Sequence, residues 1–273
     1  MPINFRKYLL LFSVFAISMS CAPRAIGRDL DTLTINRLFN RVDSLIGSGR
    51  YEVAYNLADS IRNLVYHTKN AKAYGLALYE LGTVHRWQGN LKQALSFFTQ
   101  SLHIADSISD LHLKANSLTN LGAVHRMVGD YPKALICYMQ AISINKQKHN
   151  ESGIAVNYNN LGVVYLYLGN YSKALEYYKL SQVISEKMGD NVGLAISYIN
   201  IGEVYQKSGK NTDAIAYYMQ GLDLSQKIGD IDSQAVIYNE LGNIYKSIND
   251  CNYATGYYLK SLAIFQKLGD NYR

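Results

Sequence analysis

Between residues 191 and 208 the apolar and small side chains fall at Leu194, Ala195, Tyr198, Ile201, Gly202 and Tyr205, three or four positions apart. That spacing sets them on one face of a helix. Gly209 follows, and glycine suits the left-handed turn that ends a helix. A second helix is expected from there to the Gly229-Asp230 pair. The segment reads helix, turn, helix, each helix about 17 residues and about 25 Å long at 1.5 Å per residue. No run of alternating apolar and β-branched residues bounded by turns occurs, so strands are not expected.

The same pattern returns every 40 residues. Leu81-Gly82, Leu121-Gly122, Leu161-Gly162, Ile201-Gly202 and Leu241-Gly242 align without an insertion. So do Gly49, Gly89, Gly129, Gly169 and Gly209; Ala54, Ala94, Ala134, Ala174, Ala214 and Ala254; and the aromatic column Phe98, Tyr138, Tyr178, Tyr218, Tyr258. Asn90, Asp130 and Asn170 are placed to cap the second helix of a pair, and Pro132 fits a first turn, where no N–H bond is lost. Gly-Asp stops are expected at 189–190, 229–230 and 269–270, with Asp110, Asp190 and Asp230 capping the helix that follows. The pattern predicts twelve helices in six antiparallel pairs, turning near residues 49, 89, 129, 169, 209 and 249. The first pair is the least regular, because Val42 stands in the glycine column. Gly202 and Ala214 are expected to let two backbones approach, with Tyr205 and Tyr218 filling the space beside them. One pair buries only one face, so neighbours must cover each other and the pairs stack into a solenoid.

Composition agrees with that picture. Apolar content of 48% and 18% charge are ordinary for a folded domain, while three prolines in 273 residues leave long helices unbroken. The first twenty residues stand apart: Arg6 and Lys7, an apolar stretch from Tyr8 to about Ile17, then small residues. They read as a secretory signal, too short for a comfortable membrane span. "SMSC" resembles the lipobox of bacterial lipoproteins, which implies a lipid-anchored Cys21 as first mature residue. Ser18 stands where that motif prefers an aliphatic residue, and cleavage near Ser18 or Ala22 would instead release a free secreted protein. Residues 21–29 read as a short linker and 30–273 as the solenoid. Removing residues 1–20 takes two cations and no acid from a net charge of +6, leaving a mild +4 and no nucleic-acid footprint.

Leu-Gly-x-x-Tyr, Gly-Asp/Asn-Tyr and Ala-x-x-x-Tyr together resemble the tetratricopeptide repeat over about residues 30–270. The resemblance implies an all-α solenoid, a right-handed superhelix of antiparallel pairs whose first helices line the concave surface. The usual repeat has 34 residues and closes with a proline. Here the period is 40 and that proline is missing, as in the longer repeats of kinesin light chains, spindle-orientation adaptors and bacterial peptide-pheromone receptors. Carried over by position, the concave lining includes Asn120, Asn160 and Asn200, with Glu80 and Glu240 in the same column. One residue earlier lie Tyr79, Thr119, Asn159, Ile199 and Asn239, and one turn later Arg86, Arg126, Leu166, Gln206 and Lys246. A carboxamide offers donor and acceptor together, so an asparagine ladder can hold the backbone of an extended peptide. The same amides can equally brace neighbouring helices. Arg86 and Arg126 can take an acidic group, or form a solvated face, and Trp87, Met127 and Tyr167 can serve as apolar anchors. The carboxylate clamp of chaperone-binding repeats needs cations early in the first helix, where this chain has Asn116, Val156, Asn159, Ile196 and Asn200.

Catalytic and cofactor motifs are not found in the sequence: there is no HExxH, GxSxG or phosphate loop. His85 and His125 share a column with Tyr165, Tyr205 and Tyr245 and read as packing residues; Cys137, in the column of Phe97, Tyr177 and Tyr217, reads as a small core residue. No cofactor, metal or catalytic residue is expected. Tyr253, Tyr257, Leu262, Ile264 and Phe265 have no further repeat to cover them all, which suggests self-association through that end. Two functions fit. One is an exported scaffold at the cell envelope that binds a protein or peptide in its groove. The other is the ligand-sensing part, possibly shortened, of a bacterial signalling or transcription regulator.

Overall fold

The computed structural model describes residues 32–68 and 70–271, so the expected signal segment and linker, with Cys21, lie outside the described residues. Among those described, every regular element is a helix: α1 (Thr32–Gly47), α2 (Tyr51–Tyr66), α3 (Ala71–Trp87), α4 (Leu91–Ser107), α5 (Leu111–Met127), α6 (Tyr131–Gln147), α7 (Glu151–Tyr167), α8 (Tyr171–Met188), α9 (Asn191–Lys207), α10 (Asn211–Ile228), α11 (Ile231–Ser247) and α12 (Cys251–Asn271). From α3 onward, corresponding helices start 40 residues apart, and the turns fall where the glycine column puts them. The structure is an all-α solenoid.

The turns show why glycine recurs. Gly49, Gly89, Gly129, Gly169 and Gly209 all have positive φ, between 70° and 81°, the region only glycine enters freely. Where the column lapses, other residues take the strained conformation: Asn249 (φ 62°) within a pair, and Ser109 (56°) and His149 (53°) between pairs. Asp110, Asp130, Asn150, Asn170, Asp190 and Asp230 cap their helices through side-chain oxygens. Asn90 departs from expectation: its amide turns back toward Gln88 (3.4 Å) and makes no cap bond. Helix α12 also runs through Gly269-Asp270, whereas at the other two Gly-Asp pairs the aspartate caps a following helix.

Packing corrects one detail. Ala174 and Ala214 are buried as expected, but what faces Gly202 is the Tyr218 ring. A Cβ on Gly202 would lie 2.8 Å from that ring, and on Gly122 and Gly162 2.6 and 2.5 Å from Tyr138 and Tyr178. The glycine column is thus a row of flat seats for the aromatic column, and Tyr138, Tyr178 and Tyr218 are fully buried on it. Tyr205 lies outside that contact, stacked on Tyr217 at 5.4 Å. The same outer stack recurs as His85 on Phe97 and Tyr165 on Tyr177, both at 5.4 Å, so His85 is a packing residue. Cys137 interrupts the stack and sits half-buried at the edge of its cluster, not in the core. Between pairs, the hydroxyls of Ser101, Ser181 and Ser261 donate to the carbonyls of Gly75, Ala155 and Ala235 at 2.8–2.9 Å, satisfying buried polar groups in the same way each time.

First helices of successive pairs touch one another (α1 with α3, α3 with α5, α5 with α7, and so on), while the second helices do not. The array therefore curves with its first helices on the inside. Tyr253, Leu259, Leu262 and Phe265 of α12 are exposed, and Tyr257 and Ile264 are half-buried.

Candidate functional site

The inner faces of α3, α5 and α7 line an open cleft of about 590 Å³. Its walls are polar: Arg86 and Tyr79 from α3, Asn116, Asn120 and Arg126 from α5, Asn157 and Asn160 from α7. These residues converge because equivalent helical positions face inward in every repeat, as with Arg86 and Arg126 or Asn120 and Asn160, and the first helices are the ones in contact. Six of the residues expected at the groove, Tyr79, Arg86, Thr119, Asn120, Arg126 and Asn160, meet in this one cleft.

The asparagines divide by task. Asn120 donates from Nδ2 to Tyr79 Oη on the preceding first helix at 2.9 Å and to the Asn116 carbonyl at 3.2 Å. Asn200 donates to Asn159 Oδ1 at 2.6 Å, so that pair braces α9 against α7. Thr119 and the buried Asn157 form a third such link at 3.1 Å. Asn160 hydrogen-bonds to no described residue and lines the cleft. Asn239 is exposed and bonds only Glu240, at 3.4 Å. Bracing and an open amide thus coexist, with Asn160 the open one.

Arg86 and Arg126 are half-buried, and each has its Nε shut off from solvent without a hydrogen-bond partner. Neither joins an ion pair among the described residues. Burial lowers the Arg86 pKa from its ordinary value, and the charge of Arg126 lowers it further against the opposing pull of Tyr79 and Tyr138. The Arg86 guanidinium lies 4.8 Å over the Trp87 ring, which stays about half exposed outside the cleft. Tyr167 is likewise exposed and stacks at 6.1 Å on Tyr131, away from the cleft lining.

Three features were not foreseen from the sequence. The Tyr138 hydroxyl, from a second helix, reaches the Arg126 guanidinium; burial pushes its pKa up to about 12. No protein atom meets that hydroxyl in hydrogen-bonding geometry. In the corresponding place Tyr218 Oη donates to Gln206 Oε1 at 2.7 Å, while Tyr178 shares a cluster with Leu166 and has no partner. The signal lay in reading the aromatic column beside the residue twelve positions earlier. The Asn145–Asn150 turn also closes one side of the cleft, through a 2.9 Å amide bond. Finally, Glu80 occupies the asparagine column but its protonated carboxyl faces Asp43 on α1, to which it donates a hydrogen bond; burial first, then that neighbouring charge, push the Glu80 pKa up to about 8.

Residues 73–147 and 193–267 match one tetratricopeptide repeat family profile and residues 155–185 another. Curated proteins yield no match. Among solved structures, BtubC (BKLC) from P. vanneervenii is similar at 19% identity and TM-score 0.65, over 88% of this chain and 93% of that one. The quorum sensor NprR from B. thuringiensis, in its apo form, is similar at 19% identity and TM-score 0.67, over 95% and 70%. A Rap protein complexed with competence and sporulation factor is similar at 16% and 0.67, over 100% and 90%.

Proposed function

We propose, from the premise that this chain belongs to the tetratricopeptide repeat family, that it is an interaction scaffold that holds a peptide or an extended segment of a partner protein in the α3–α5–α7 cleft. The observation that carries the reading is the open Asn160 amide in a cleft whose neighbouring asparagines are already bonded in place. A preorganised wall of amides costs little ordering when an extended backbone docks. A structurally similar Rap protein has been seen in complex with competence and sporulation factor, which supports a binding role for this fold. Asn159 and Asn200 extend the wall along α7 and α9, Asn239 marks its far end, and Trp87 and Tyr167 offer apolar contact at the rim.

The scaffold works at the cell envelope, held by a lipid on Cys21 and able to self-associate through the exposed face of α12. Enrichment of a random peptide library on residues 30–273, in competition with the Asn160→Ala variant, tests the binding reading: selected peptides should prefer the unaltered chain. Equal enrichment on both would count against it. Mass spectrometry of the exported protein tests the anchor; a mature start other than residue 21 removes it. A sensing role is the second reading, favoured by the likeness to NprR, a quorum sensor. It requires that peptide binding alter an output domain.

A further inference from the structure

Two guanidiniums in one cleft, partly desolvated and without a carboxylate beside them, are costly to leave alone. A charge withdrawn from water is tolerated when paired, and most half-buried arginines find an acid. Acids are available in this chain, yet the described ion pairs all lie elsewhere, as with Lys72–Asp110 at 2.9 Å and Lys114–Asp106 at 2.6 Å. The two arginines stand at the same position in adjacent repeats, on helices that touch, and both line the cleft. Tyr138 adds a hydroxyl behind Arg126, and Tyr79 a second one already turned to Asn120. From Leu166 onward the column loses arginine altogether. Within the cleft the column's positive charge is confined to the α3–α5 side, and Leu166 and Gln206 separate it from the exposed Lys246 two repeats beyond.

We propose that Arg86 and Arg126 form an anion subsite that takes a carboxylate of the bound peptide, the open Asn160 amide holding backbone one repeat further on. This rests on the peptide-binding reading above and gives the ligand a chemistry and a direction: its acidic group lies toward α3 and its neutral backbone toward α7. A planar carboxylate suits two guanidiniums, which present paired N–H donors and keep their charge at any physiological pH. The subsite lies at the last turn of the first helices, far along the helix from the positions where the chaperone-type clamp would need its cations.

Side-chain ¹⁵N–¹H spectra of the arginine Nε groups test this, with Arg86→Gln and Arg126→Gln variants assigning the resonances. Sodium succinate is the first probe, titrated against sodium chloride of equal ionic strength. The Arg86 and Arg126 resonances should shift saturably with succinate and stay still in chloride. Arg126→Gln should weaken the response of Arg86 about ten- to a hundred-fold, the range for charge-assisted hydrogen bonds. Two tripeptides then separate the sources: N-acetyl-Ala-Asp-Ala-amide carries only a side-chain carboxylate and N-acetyl-Ala-Ala-Ala only a terminal one. A response to either supports the subsite and says which group it reads. Arg126→Gln should also leave the low-salt melting temperature unchanged or raise it, since it relieves repulsion with Arg86. Equal responses to succinate and chloride, a stronger response to inorganic phosphate than to any carboxylate, or a fall in melting temperature would each overturn the proposal. Library peptides that bind through Asn160 but lack any acid would sink the subsite and leave the scaffold reading standing. A carboxylate response without any peptide selection would do the reverse.

Discussion

Replacing Glu80 by Gln should make the protein more stable above neutral pH and leave it unchanged in mild acid. Glu80 is buried at 5% exposure, one carboxyl oxygen has no partner, and the protonated carboxyl donates a hydrogen bond to Asp43. Its folded pKa, about 8, lies above the ordinary value near 4.5, so the native state holds a proton that the unfolded chain releases between those values. Stability from this group is complete below pH 4.5 and is lost as pH rises toward 8. The slope is about 1.4 kcal/mol per pH unit in that window, which sums to a few kcal/mol by pH 8. A glutamine keeps the volume and donates an N–H to Asp43 with no proton to lose. For a domain of this size ~1 kcal/mol moves the melting temperature by ~2–4 °C, so the variant should melt roughly 5–15 °C higher at pH 8 and within a degree or two at pH 4.5. Circular-dichroism melts at pH 4.5, 6 and 8 and fixed ionic strength measure this. Parallel pH curves for the two proteins, or a variant less stable at pH 8, would refute the reasoning.

Gly162→Ala should destabilise: its Cβ would stand 2.5 Å from the Tyr178 ring. Overpacking of about 1–3 kcal/mol exceeds the ~1 kcal/mol of helix propensity gained, and Tyr178→Leu in the same chain should recover part of the loss in a denaturant titration. Ala174→Leu, at a fully buried position, should cost about 1–3 kcal/mol in the same assay, and an unchanged midpoint would misplace that contact. His149→Gly should stabilise by about 1 kcal/mol, because His149 holds φ 53° where Gly189 and Gly229 hold the same turn freely; a lower melting temperature would contradict it.

The fold was legible because a strict period is over-determined. Four columns in register leave one way to pair the helices, and even the turn conformations follow from the glycine at residue 49 and its repeats. The cleft was half legible. Columns identify which side chains recur on an inner face, so Arg86, Asn120, Arg126 and Asn160 come together as expected. A column alone does not say which amides are bonded: that depends on the residue 41 positions earlier, where Tyr79 and Asn159 accept from Asn120 and Asn200, while Thr119, the counterpart for Asn160, turns to Asn157. Tyr138 escaped because its column was assigned to packing. Its ring does pack on Gly122, but a phenol has two ends, and the far one reaches Arg126. Glu80 was read by position as groove lining, while its buried carboxyl keeps its proton and faces Asp43, on the irregular first pair.

The most direct measurement is a calorimetric titration of a library-selected peptide into the unaltered chain and into Asn160→Ala, with melts of both proteins beside it. Loss of two neutral hydrogen bonds at ~0.5–1.5 kcal/mol each should weaken binding about ten- to a hundred-fold. Because Asn160 braces nothing among the described residues, the melting temperature should not move. Undiminished affinity in a fully folded Asn160→Ala protein would contradict the account.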